Sequence, residues 1–253
     1  MCGIYFSLSR SGHVGPNAGI EQLLKNRGPD SIGEHRALIS AESNSDQGSS
    51  VQLHATFVST VLALRGTAIV EQPLKDDETG SALCWNGEAW SIHGHLNSIP
   101  GNDSQEVFAL LLQASHVSSP DGKSSSVERV LGILSAIRGP YAFVFYDAKN
   151  KFLFFGRDCL GRRSLLRQST SDHRLVLSSV RDSTSSDKWA EVEPDGIYMI
   201  DLKSSHSTDG VLSLNHIPHR RQGEHKANQL SLVGKFSDSL IFAEPASIYR
   251  FQP

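Results

Sequence analysis

Residues 141–158 constrain this chain more than any other stretch. They read YAFVFYD, then AKNK, then FLFFGRD. Two apolar runs of strand length joined by a short polar turn predict a β-hairpin. Both faces of each run are apolar, so the sheet that holds this hairpin has to be covered on both sides. A chain of 253 residues can supply such cover, because it has room for one large domain or two small ones.

The flanking sequence supplies candidate layers. From Gly3 to Ser9, Ile4, Phe6 and Leu8 alternate with Gly3, Tyr5 and Ser7, which is strand period, and Cys2 stands at the mouth of that strand. Ile20, Leu23 and Leu24 follow helical spacing in a segment that has to end before Pro29. Val51–Leu64 suits one long strand or two pairing ones, and Ala82–Asn86 a short strand entering a turn at Asn86-Gly87. Gln105–Ser115 reads as a buried helix with Asp103 or Ser104 as its N-cap. Val127–Ile137 is amphipathic, with Val127, Val130, Leu131 and Leu134 on one face and Gly139 just beyond its end. Strands near 175–178 and 196–202 complete the domain. Beyond Lys203 the text turns polar, so 203–228 reads as a linker and 229–242 as a weak helical pattern.

Composition removes several classes of function. Lys plus Arg total 24 against 27 Asp plus Glu, a net charge of −3 with no basic stripe, which argues against a nucleic-acid partner. No run of about 20 apolar residues is present, and the first residues read as neither a signal peptide nor a myristoylation site. Three cysteines cannot build a disulfide framework and suit a reducing compartment, so a cytoplasmic location is expected, without membrane attachment. His93 with His95, and His216 with His219, lack companions at zinc spacing, so neither metal nor cofactor is expected.

Several positions carry chemistry. Cys2 becomes the N-terminus once Met1 is removed, since a small second side chain permits that processing. A free α-amine with a pKa near 8 can accept the thiol proton, so one residue would be both nucleophile and base. Asn86-Gly87 offers a side-chain amide and an unhindered N–H for an oxyanion, or simply a type I′ turn. Arg65, inside VLALRGTAIV, needs an anionic partner, either a substrate carboxylate or a protein acid. Asp103 could hold a substrate ammonium or cap a helix together with Glu106. Glu88 is a second ammonium ligand or a solvated charge.

MCGI, then RGPD at 27–30, Arg65-Gly66, WNGE at 85–88 and GRDCLGRRSLL at 156–166 occur in one order. That series resembles the class II glutamine amidotransferase domain, an N-terminal-nucleophile hydrolase. LALRG…QPL…WNGE with LGRRSLL is most similar to the asparagine synthetase domain-containing protein family. The resemblance covers residues 2–202. It implies an α+β fold, a four-layer αββα sandwich of two antiparallel sheets. It also implies glutamine hydrolysis to glutamate and ammonia, with the ammonia supplied for asparagine biosynthesis.

By the same resemblance Cys2 matches the nucleophile, Asn86 and Gly87 the oxyanion pair, and Arg65 the grip on the α-carboxylate of L-glutamine. Glu88 and Asp103 match the acidic residues near its α-ammonium. Members of this kind pass ammonia to an ATP-dependent synthetase domain whose SGG-x-D-S signature has no counterpart here. Residues 229–253 are then a short helical stub of that domain, and a separate synthetase is an expected partner. The alternative is a catalytically silent module that keeps the fold for binding or regulation.

Overall fold

The computed structural model describes residues 1–43, 50–66, 68–95, 99, 101–116, 124–169, 174–182, 188–205 and 214–219. Fifteen strands and three helices lie among them. They are β1 (Gly3–Ser9), α1 (Ala18–Arg27), β2 (Ser31–Ser43), β3 (Ser50–Val61), β4 (Leu74–Lys75), β5 (Ala82–Gly87) and β6 (Ser91–Ile92). Then come α2 (Asp103–His116), α3 (Ser126–Ala136), β7 (Ile137–Arg138), β8 (Tyr141–Asp147), β9 (Phe152–Arg157) and β10 (Leu166–Ser169). The last are β11 (Leu175–Ser178), β12 (Lys188–Glu191), β13 (Gly196–Asp201), β14 (Ser204–Ser205) and β15 (Leu214–Pro218).

The apolar hairpin is β8–β9, at the middle of a six-stranded sheet ordered β15-β13-β9-β8-β5-β4. Its period of two sends Ala142, Val144 and Tyr146 to one face, where Leu153 and Phe155 join them. Tyr141, Phe143 and Phe145 go to the other, with Phe154. The first face meets Ile4, Phe6 and Leu8 of β1, from a seven-stranded sheet ordered β12-β10-β11-β1-β3-β2-β14. The second is covered by α2 through Val107 and Leu111 and by α3 through Val130, Ile133 and Leu134. Helix α1 lies outside the seven-stranded sheet, where Ile20 and Leu24 pack on Tyr5, Val58 and Val176. The result is the αββα sandwich that the resemblance implies. Among the described residues its strands pair antiparallel apart from the β14–β2 pair at one edge, which is parallel, and an isolated parallel bridge joins Pro29 to Val61.

Local chemistry sets the helix ends. Asn17 caps α1 by accepting from the Ile20 N–H at 2.8 Å. Gly28 ends it against β3, where a Cβ would stand 2.5 Å from the Val61 nitrogen. Only glycine allows that approach. Ser125 and Glu128 form a reciprocal capping box on α3.

Four expectations need correction. Residues 31–43, not anticipated as a strand, form β2, whose register runs along β3 from Ser31 opposite Val61. The apolar text around Arg65 is not strand. β3 stops at Val61, and Leu64 is 76% exposed on the loop that follows. Asp103 and Ser104 do not cap α2, because Asn102 does, its Oδ1 accepting from the Ser104 N–H at 3.1 Å. The stretch 203–228 is not a plain linker: it supplies β14 and then β15, which extends the six-stranded sheet beside β13. The proposed stub at 229–253 lies outside the described residues.

Candidate active site

The inner faces of the two sheets part at one end. Even-numbered residues of β1 face inward, so Cys2 continues the row of Ile4, Phe6 and Leu8 out to that end. On β5 the inward row is Ala82 and Cys84, and Asn86 continues it. Alternation therefore carries a thiol from one sheet and an amide from the other to one mouth. There lies a cleft of about 640 Å³, open mouth included. All six residues singled out in the sequence line it: Cys2, Arg65, Asn86, Gly87, Glu88 and Asp103.

Cys2 is half-buried, and its thiol donates to the Leu62 carbonyl at 3.9 Å. The other two thiols differ. Cys84 is buried between the sheets, and desolvation pushes it up to about 12, while Cys159 is exposed. The RGPD segment braces Cys2 from one side. Arg27 Nε donates to the Cys2 carbonyl at 3.1 Å, and the Met1 amine donates to the Arg27 carbonyl at 3.2 Å. The Asp30 carboxylate accepts the Ala63 N–H at 2.7 Å and so fixes the start of the loop that presents Arg65.

Asn86-Gly87 is not a type I′ turn. Both residues belong to β5, paired with Ala142 and Tyr141 of β8. The Glu88 N–H donates to the Pro140 carbonyl on the β8 side. The Trp85 N–H points the opposite way and donates to Gln72 Oε1 at 2.8 Å. In a strand, successive N–H groups alternate sides, so Gly87 N–H faces with Trp85 N–H, away from β8. β4 pairs only with Ala82 and Leu83, which leaves that side of Gly87 to the cleft. The Asn86 side chain is buried, and its Nδ2 has no protein partner.

Gly87 is sterically required as well. A Cβ there would sit 2.6 Å from Tyr141 Cβ and 2.7 Å from the Pro140 carbonyl oxygen. Gly87→Ala is expected to destabilise the fold by about 1–3 kcal/mol, because β8 is central and cannot yield cheaply. A fall in the urea midpoint at unchanged m-value checks this.

Arg65 and Glu88 form an ion pair at 3.1 Å, both partly exposed. Glu88, 42% exposed, keeps a carboxylate oxygen on Arg65 at the cleft. Its carboxylate holds one arm of the guanidinium, while Arg65 Nη1 is buried without a partner. Asp103 is 6% exposed, and its Oδ2 accepts from Trp85 Nε1 at 2.9 Å and from the Ala89 N–H at 2.8 Å. Those two donors fix the carboxylate at the cleft wall.

Among the lining residues not anticipated as part of a site are Gln72, Trp85, Asn102 and Arg163. Trp85 stacks on Tyr141 at 5.2 Å and carries the Asp103 contact. Asn102 lines the wall beside it. Trp85 and Arg163 stand inside the quoted motifs WNGE and GRDCLGRRSLL, which was the available signal. Gln72 has none beyond its place in the text QPL. Arg157 and Asp158 act structurally, as the hairpin end. Arg157 donates to the Gly161, Arg163 and Val192 carbonyls and pairs with Glu191, and Asp158 accepts from Tyr141 N and Arg162 Nε. Among the described residues no group of His, Cys, Asp and Glu is placed to hold a metal ion.

Compared with known proteins, the chain is 36% identical over 211 residues to human asparagine synthetase domain-containing protein 1, which is 81% of this chain and 29% of that one. It is 35% identical over 218 residues to the protein of the same name from Bos taurus, covering 84% and 30%. Over more than four fifths of its length the chain is similar to these asparagine synthetase domain-containing proteins. It spans less than a third of the length of these relatives. No family profile matches it. A solved allosteric regulatory enzyme of purine biosynthesis shares the fold, at TM-score 0.50 and 17% identity over 84% of this chain and 48% of that one. No helix among the described residues is long and apolar enough to cross a membrane.

Proposed function

We propose that this chain, once Met1 is removed, hydrolyses L-glutamine to glutamate and ammonia with Cys2 as nucleophile. The observation that carries the reading is the pairing of two unsatisfied buried donors, Asn86 Nδ2 and Arg65 Nη1, on one cleft with the Cys2 thiol. Burying a polar group without a partner costs about 1–3 kcal/mol, so such groups persist where a ligand completes them. An oxyanion completes the first and an α-carboxylate the second.

The chemistry follows. The Cys2 α-amine takes the thiol proton, and sulfur attacks the side-chain amide carbon. Asn86 Nδ2 and Gly87 N–H hold the tetrahedral oxyanion. The amine returns its proton to the departing nitrogen, ammonia leaves, and a γ-glutamyl thioester remains. Water then adds and releases glutamate, restoring the thiol. Arg65, held by Glu88, grips the α-carboxylate. Asp103, with Oδ2 committed to Trp85 and Ala89, turns Oδ1 to the α-ammonium. The ammonia serves asparagine formation on an ATP-dependent synthetase domain, the activity that the family's name points to.

The test is a mass spectrum of the chain followed by glutamate release from glutamine. Removal of Met1 with measurable release is expected. A processed chain that binds glutamine without turnover overturns the reading in favour of a binding module. Arg65→Ala is expected to raise KM about tenfold or more with kcat little changed, since a charged hydrogen bond contributes about 1.5–3 kcal/mol equally to ground and transition states. An unchanged KM removes Arg65 from the clamp.

A further inference from the structure

The seven-stranded sheet runs out at β2, and most of that edge is bare. Among the described residues, β14 pairs with β2 only at Glu42 and Ser43. Beside them Lys151 Nζ donates to the Ser40 carbonyl at 2.9 Å. Sheets blunt their edges with short strands and lysines of this kind, because unpaired main-chain groups invite a further strand. No described strand lies against 32–38 on that side.

Successive residues of a strand turn their N–H and C=O groups alternately to its two sides. The Ser40 carbonyl and Glu42 face the edge, so Ile32, Glu34, Arg36 and Leu38 face it as well. The side chains of the same four residues make one exposed row on the outer face of the sheet. Ile32 is 46% and Leu38 62% exposed, whereas Ala37, Ile39 and Ala41 turn to the core between the sheets.

We propose that this edge pairs with the same edge of a second copy of the chain, β2 antiparallel to β2 about a two-fold axis at His35. The row is self-complementary in that register. Ile32 comes opposite Leu38 of the other copy, and Glu34 opposite its Arg36. Each of these pairs exchanges main-chain hydrogen bonds, with apolar contacts at both ends and charges in the middle. Glu34 and Arg36 already form an ion pair within one strand, and pairing joins two such pairs into a network. His35, half-buried with its ring 5.8 Å from that of Phe57, meets its copy on the axis.

Neighbouring registers are excluded by the same charges. Sliding to the next hydrogen-bonded register in either direction sets Glu34 against Glu34 or Arg36 against Arg36. Like charges directly opposite destabilise a sheet. At the far end β14 and Lys151 already occupy 40–43, which bounds the pairing. A contact of one patch with its own copy closes after two chains, so the product is a dimer rather than a fibre.

Sedimentation equilibrium of the full chain tests this without any assay of turnover. Wild type is expected to approach twice the chain mass as concentration rises, with amide exchange at 32, 34, 36 and 38 slowing in step. Glu34→Arg and Arg36→Glu change exposed side chains, so both variants keep the fold. Each sets four like charges around the axis and is expected to weaken association about tenfold or more. An equimolar mixture of the two variants should regain the wild-type affinity, because every arginine then faces a glutamate. Wild type that stays monomeric, single variants that associate as tightly as wild type, or a mixture that stays apart overturns the proposal. A monomer whose edge amides are protected at every concentration assigns the edge to another segment of the same chain, and overturns it too.

Discussion

Replacing Cys2 with alanine is expected to abolish glutamate release, a loss of about 10⁴-fold or more. Alanine is small enough at the second position for Met1 to leave, so the variant keeps a free α-amine and loses only sulfur. No other thiol can substitute. Cys84 is fully buried with its thiol pushed up to about 12, and Cys159 is exposed and does not line the cleft. The measurement is ammonia or glutamate release by protein whose first residue has been verified by mass. Retention of more than a few per cent of wild-type rate would mean that the nucleophile is water or another side chain, and the proposed reaction would fail with it.

The strands that place Cys2 were legible because their patterns are two-faced. In β1 the alternation of Ile4, Phe6 and Leu8 with Tyr5 matches two real surfaces, one toward the second sheet and one toward α1. The β8–β9 hairpin was legible for the stronger reason that apolar residues occupy both faces. β2 was not, since Ile32 and Leu38 stand on its outward face at 46% and 62% exposure, which blurs the alternation of Ala37, Ile39 and Ala41 on the inner one. β15 was hidden by its polar surroundings. Only its pairing with β13 reveals it.

Within the site, residue identity was readable and partnership was not. Arg65 announced itself as a charge in apolar text, yet the physical reason differs from the one the text suggests. The apolar neighbours are exposed loop rather than strand, and the cation is held by Glu88, which follows Gly87. Asp103 has the composition of a helix cap, but Asn102 takes that task and frees its carboxylate to reach back across 18 residues to the Trp85 indole. Asn-Gly suggested a turn from propensity alone. Tertiary packing instead carries β5 through it, and the absence of a Cβ at Gly87 serves the approach of Tyr141 rather than a positive φ. Contacts distant in sequence decide each of these points, and no local pattern encodes them.

Asn86→Ala separates a functional residue from a structural one most sharply. Losing one oxyanion donor costs about 3 kcal/mol in the barrier, so kcat should fall about 10²-fold to 10³-fold with KM nearly unchanged. Stability should not fall in step. A buried amide that bonds its neighbours destabilises a protein when it is removed, because those neighbours are left unpaired. The Asn86 Nδ2 has no protein partner to strand, so its removal also relieves the desolvation of a buried donor. The expected result is an unchanged or slightly higher urea midpoint in a variant that has lost nearly all activity. Functional sites commonly carry such local cost, and substitutions there trade activity for stability. If stability and kcat fell together, Asn86 would be a packing residue, and Gly87 N–H alone would have to hold the oxyanion.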